Sequence, residues 1–200
     1  MKLPLFPLNS IIFPGGVLPL RIFEPRYLDM VKDCVRDQGE FVICLIKDGS
    51  ETSSSAKFQH IGTACRIIDW ETLPDGLLGI TALGISRVKI SSAESQSNQL
   101  LTGEVIYLKE SDDESLPSKY DEWAHLISVI IQELGKPFNE QHQNLESAQW
   151  VGARLTEYLP FELEQKQRIL EMDHPIIRLE HLYDVLKDIE YYYTQGNLNN

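Results

Sequence analysis

Two hundred residues, 42% of them hydrophobic and 24% charged, suffice for one ordinary domain or one domain of two lobes, and the composition is globular and not disordered. The formal net charge of -12 and a pI near 4.8 repel phosphate backbones and anionic membrane surfaces, so neither nucleic acid nor a membrane is an expected partner. Cys34, Cys44 and Cys65 are odd in number, far apart and without a Cys-x-x-Cys pair, which points away from a disulfide framework or a thiolate zinc site and toward reduced thiols in a cytoplasmic protein.

The run from Leu3 to Leu20 is apolar, but Pro4, Pro7, Pro14 and Pro19 break it. A transmembrane helix would lose backbone bonds at each of them, and the prolines and Asn9-Ser10 interrupt the unbroken core that a secretory signal needs. The segment therefore reads as two short apolar strands joined at Pro14-Gly15-Gly16 and running into a helix. Pro25 suits a first helical position, and Tyr27, Met30, Val31 and Cys34 recur at helical spacing, so the helix is expected from Pro25 to Asp37. Phe41 to Ile46 is a short apolar run, read as a strand, and the Ser and Thr cluster from Ser50 to Ser55 is read as a mobile loop. Ile61 to Trp70, Leu77 to Leu83, Ile85 to Ile90 and Leu100 to Leu108 are further strands, with turn chemistry at Pro74-Asp75-Gly76. Many short strands and one helix predict a barrel-like antiparallel sheet.

Charge divides the chain. Residues 1–109 carry 11 Lys or Arg against 12 Asp or Glu, whereas residues 110–200 carry 7 against 18, which predicts two lobes. Residues 110–118, Glu-Ser-Asp-Asp-Glu-Ser-Leu-Pro-Ser, have too little apolar content to pack and read as an exposed acidic linker between a β lobe at 1–109 and a helical lobe at 119–195. In the second lobe Tyr120, Trp123, Ile127, Ile130, Ile131 and Leu134 share one helical face, which ends at Gly135 and Pro137. Ala148 to Leu159 and Glu162 to Met172 form two more helices, and Ile176, Leu179, Leu182, Leu186, Ile189 and Tyr193 define a fourth. Four amphipathic helices with short connections predict a small bundle.

Catalytic motifs are scarce. The one Gly-Lys pair, Gly135-Lys136, precedes Pro137 and has no phosphate loop around it. Ser86 and Lys89 have Ser-x-x-Lys spacing, but on a strand residues three apart face opposite ways. Glu122 with His125 and Glu171 with His174 match the Glu-x-x-His spacing of four-helix di-iron sites, yet Glu122 and His125 fall opposite the apolar face of their helix and belong in solvent. No metal and no cofactor is expected.

At Leu3-Pro-Leu-Phe-Pro-Leu8, Phe13-Pro-Gly-Gly16, Pro19-Leu-Arg-Ile-Phe-Glu24 and Arg26-Tyr27 the sequence resembles the amino-terminal, substrate-binding domain of the Lon protease family. The resemblance returns at Ile61-Gly-Thr-Ala64, Leu73-Pro-Asp-Gly76, Leu83-Gly84 with Arg87, and Arg154-Leu155 with Leu159-Pro160. It continues at Lys166-Gln167, Leu170-Glu171 and Arg178-Leu179. It implies a PUA-like β-barrel lobe followed by a helical lobe, an α+β fold, without the family's ATPase and protease parts. It also implies a non-enzymatic module that binds unfolded or extended polypeptide, with a protease or chaperone complex as a further partner. The residues expected to hold peptide are Phe13, Pro14, Ile22, Phe23, Glu24, Tyr27 and Arg87. Against this stands a structural role: Glu24 pairing with Arg26 or Arg87 to fix the helix start, with Tyr27 as packing. A hydrolase with an unrecognised site and a small-molecule or RNA-binding PUA-like domain are the competing classes.

Overall fold

Leu3 and Leu5 pack on one side of the first strand and Phe6 and Leu8 on the other, a consequence of the two-residue period of extended chain. The structure is a computed structural model that describes residues 1–49 and 57–196, with side chains to residue 187. Seven strands arise in order: β1 (Lys2–Leu8), β2 (Val17–Ile22), β3 (Phe41–Asp48), β4 (Lys57–Phe58), β5 (Ile61–Thr72), β6 (Leu78–Ser95) and β7 (Leu101–Tyr107). Their lateral order is β1-β7-β6-β5-β3-β4, and β1 also pairs with β3, so that β1, β7, β6, β5 and β3 close into a barrel. The closing β1–β3 pair is parallel, while the other pairs are antiparallel. The barrel expected from the strand count is present; its closure by a parallel pair is a feature that periodicity does not carry. The loop expected over Ser50 to Ser55 lies outside the described residues.

Two short strands around the Pro14-Gly15-Gly16 turn do form, but they do not pair with each other. Instead β1 enters the barrel wall and β2 lies against β6. The turn itself is stitched to β6: Gly15 N–H donates to the Gly84 carbonyl (2.8 Å) and Gly84 N–H to the Gly16 carbonyl (2.9 Å). Gly15 has φ of 75°, and a Cβ on Gly84 would overlap the Phe13 carbonyl oxygen, so both positions need glycine. Gly84 does not interrupt the strand here. The two expected strands on either side of it are one strand, β6, with register shifts against β5 and β7.

Helix α1 (Pro25–Asp37) begins at proline and ends at Gln38 in the left-handed conformation. Tyr27, Met30, Val31 and Cys34 form its buried stripe against Phe6, Ile22, Phe41, Ile43, Ile80 and Ala82. On β3, Phe41 and Ile43 face this helix while Val42 and Cys44 face a second cluster with Leu3, Leu5, Val88 and Ile90. Burial on both faces explains why that strand is apolar without alternation.

The helices that follow are α2 (Asp121–Leu134), α3 (Ala148–Tyr158), α4 (Leu163–Glu171) and α5 (Pro175–Gly196). Ser147 caps α3, its hydroxyl accepting from Trp150 N–H at 2.9 Å and donating to Asp113 at 2.8 Å. Residues 110–118 carry further contacts, including Leu116 N–H to the Glu146 carbonyl and a bridge between Ser115 and Ser147. Ile11, Phe13 and Leu45 share one apolar cluster with Ile127, Val151, Leu155, Ile169 and Leu182. Strands and helices therefore share a core. Among the described residues no helix is long and apolar enough to cross a membrane.

All three cysteines are free and buried. Burial pushes the thiols of Cys44 and Cys65 far up, and that of Cys34 up to about 11, with Asp33 and Asp37 adding to the rise. Iodoacetamide at mildly alkaline pH should leave the native protein unlabelled and modify all three in urea, with Cys34 the first to react as denaturant rises, by mass spectrometry. Rapid labelling of Cys44 without denaturant would contradict the closed barrel.

Candidate functional site

Four of the seven residues expected to hold peptide are interior. Phe13 and Arg87 have no exposed surface, and Ile22 and Tyr27 are buried. Tyr27 stacks on Phe6 with ring centroids 4.0 Å apart, beneath the Arg26 guanidinium. Glu24 is half-buried and pairs with Arg26 at 2.8 Å, the structural role weighed for it. Arg87 does not meet Glu24. Phe23 is 59% exposed, and Pro14 is partly exposed in the glycine turn.

Arg87 stands at the centre of a polar seam between strands and helices. Its Nε donates to Glu110 (2.9 Å), its Nη1 to the carbonyls of Leu170 and Met172 (both 3.0 Å), and its Nη2 to Asp173 (3.0 Å). A fork with fixed donors satisfies a carboxylate, two carbonyls at the end of α4 and a second carboxylate together. Arg178 adds a bond to the Met172 carbonyl (2.8 Å) and sits 5.4 Å from the Phe13 ring centroid. Burial, then the neighbouring Arg87 charge, pulls Arg178 down to about 10. Arg154 bonds the Pro14 carbonyl (3.1 Å) and Glu157 (3.0 Å), and Glu157 accepts from Phe13 N–H at 2.6 Å. Burial pushes the Glu157 carboxyl up, to about 7, against the opposing pull of Arg154, the Phe13 N–H and Lys166. Gln167 completes the seam by donating to the Ile61 carbonyl (3.0 Å). Arg154 and Glu157 thereby hold the turn at Pro14 against α3, while Arg154 Nη1, Gln167 Oε1 and Arg178 Nε stay buried without a hydrogen-bond partner among the described residues.

The exposed candidate runs along β2 and brings together four of the seven, Ile22, Phe23, Glu24 and Tyr27. Among the described residues β2 bonds to β6 alone, which leaves its other edge without a strand partner. Because the Gly16 carbonyl accepts from Gly84, alternation turns the backbone of Leu18, Leu20 and Ile22 toward β6. The N–H groups of Val17 and Arg21 and the carbonyls of Val17, Pro19 and Arg21 then face the open side. Pro19 fits that side, having no N–H to leave unpaired. A cleft of about 360 Å³ flanks β2, lined by Phe6, Leu8, Leu20, Ile22, Phe23 and Tyr27 among others. A second, of about 600 Å³, shares Pro19, Leu20 and Arg21 with the first and reaches Asp69, Trp70 and Pro137. Here β2 and the far halves of β5 and β6 form an arm, at which Trp70 is 56% exposed.

The family model described as "ATP-dependent protease La (LON) substrate-binding domain" matches residues 2–188. The chain belongs to the LON substrate-binding domain family. It is similar to the Lon protease of Cytophaga hutchinsonii, 28% identical over 200 residues that take in 94% of this chain and 24% of that protein. Lon protease 1 of Syntrophobacter fumaroxidans is 26% identical over 98% of this chain and 25% of its own length. This LON-type domain therefore spans about a quarter of the curated relatives it matches. Among solved structures it resembles the Lon N-terminal domain protein from Xanthomonas campestris, at 34% identity and a TM-score of 0.74 over 92% of this chain and 98% of that one. The N-terminal domain of Mycobacterium avium complex Lon protease, 17% identical with a TM-score of 0.64 over 92% of this chain and 97% of that one, shares the fold.

In this LON domain the motif residues Gly16, Gly84, Arg87, Arg154, Gln167 and Arg178 converge on the seam. Ile22 and Phe23, at the end of β2, were legible as candidates, whereas Trp70 was not. An exposed tryptophan at the end of a strand beside Pro74-Asp75-Gly76 was the available signal. Glu122 and His125 are exposed on α2, Glu171 accepts from Gln167, and His174 lies 3.5 Å from Glu114. Among the described residues no group of three or more His, Cys, Asp or Glu is arranged to hold a metal.

Proposed function

We propose that this chain is a non-enzymatic recognition module that holds extended or unfolded polypeptide along the open edge of β2 and presents it to a protease or chaperone complex. The observation that carries this reading is an unpaired strand edge lying beside an apolar cleft, in a chain of the LON substrate-binding family. An added strand bonds through its main chain, which tolerates many sequences, while alternate side chains enter the cleft. Phe23 and Trp70 supply exposed aromatic surface at either side, and aromatic residues are frequent binding hot spots. Buried, reduced thiols suit the cytoplasm as the place of work.

Anisotropy of a labelled, permanently unfolded polypeptide, with fragment size followed in the same tube without ATP, tests this. Binding without fragments is expected. The double variant F23A/W70A should bind about tenfold more weakly, equivalent to about 1.4 kcal/mol, while its urea midpoint barely moves because both side chains are exposed. In a short bound peptide, N-methylation should weaken binding at alternate residues only, as strand pairing requires. Fragments that persist through repurification would reveal a hydrolase instead.

A further inference from the structure

The second cleft carries a charge that its own residues do not neutralise. Four acidic side chains and two basic ones stand in or beside it. Arg21 is paired with Asp75 and Lys136 with Glu140, so both cations lining the cleft already have partners. Among the described residues Asp69 and Glu71, also lining it, have no ion pair, and Asp69 accepts from Trp70 N–H at 2.9 Å. They stand two residues apart on β5, ~7 Å along the strand, and so project from the same face. Facing them across β6 are Thr81 and Gly79, the register partners of Asp69 and Glu71 and also of Pro19 and Arg21 on β2. The floor between the two outer strands is thus built from small residues, with the Leu73 side chain folded over Gly79. Trp70 stands between Asp69 and Glu71 on β5 and, by the same alternation, projects from the other face, that of Ile80.

We propose that this cleft takes a lysine or arginine side chain of the bound segment, so that the preferred clients are extended chains pairing apolar residues with a nearby cation. This rests on the peptide-binding reading given above and names its substrate class. The two clefts share Pro19, Leu20 and Arg21, so a chain that lies along β2 leaves its edge beside Arg21 and enters the acidic cleft. Both the local imbalance and the formal net charge of -12 draw a cationic segment in and turn an anionic one away.

Three labelled peptides with one alternating apolar core, followed by two Lys, two Gln or two Glu, decide the matter by anisotropy at low salt. The Lys peptide should bind about fivefold more tightly than the Gln peptide, and the Glu peptide more weakly than either, as two solvent-exposed ion pairs allow. The order should collapse at about 1 M salt, where screening acts within ~3 Å, and in the variant D69N/E71Q. Equal binding of all three peptides overturns the cation site and leaves strand capture standing. An order that survives in D69N/E71Q also overturns it, since the cation is then read elsewhere. If none of the three binds, the peptide-binding reading itself fails and this inference falls with it.

Discussion

Arg87→Met should cost about 3 kcal/mol of stability, the lower end of the range for breaking a buried charged pair. The side chain has no exposed surface, and removing its guanidinium strips donors from Glu110, Asp173 and the carbonyls of Leu170 and Met172. Asp173 is 74% exposed and rehydrates freely, which tempers the loss; the Leu170 carbonyl, reached only through the interior, does not. Arg87→Lys should recover little, since one ammonium with three donors cannot span four acceptors in two directions. Equilibrium urea unfolding measures the cost, and hydrogen exchange should quicken first around residues 170–178. A variant within about 0.5 kcal/mol of the parent, the usual range for a surface substitution, would show the seam to be dispensable.

Phe13→Ala should lose about 3–5 kcal/mol through lost transfer energy and a residual cavity. Its ring has no exposed surface, lies under Arg178 and belongs to the cluster that joins strands to helices. Both lobes should lose structure in one transition, read by tryptophan fluorescence and far-UV circular dichroism. Phe23→Ala offers the contrast: 59% exposed, it should melt with the parent and weaken only binding. The opposite result, a stable Phe13→Ala with an unfolded Phe23→Ala, would invert the assignment of interior and surface on this segment.

These two phenylalanines show where the sequence is legible. Helix α1 could be read from Tyr27, Met30, Val31 and Cys34 because helical spacing is a local signal, and its bounds agree with the structure. The helices after residue 120 were legible for the same reason. Phe13 and Phe23 both stand in apolar surroundings, and no local pattern says that one faces α3 and α5 while the other faces solvent. That distinction is set by the pairing of β2 with β6 and by the turn at Gly84, contacts between residues far apart in sequence. The same limit hid the partners of Arg87. Glu24 was the nearest acidic candidate within the resemblance, whereas Glu110 and Asp173 reach it only after the chain has doubled back twice.

The parallel contact of β1 with β3, together with the pairing of Lys2 with Glu104, sets the order in which this chain can assemble. Strand β1 gains its second neighbour only after about a hundred further residues have been made, and closing a loop of that length costs roughly 4 kcal/mol before any barrel contact repays it. On a ribosome adding about 5–20 residues per second, the apolar opening segment waits for several seconds with an unpaired edge. Helix α4, whose carbonyls receive Arg87, arrives later still. During its own synthesis the chain therefore passes through a state with long apolar stretches and open strand edges, the kind of polypeptide that its finished surface is proposed to hold.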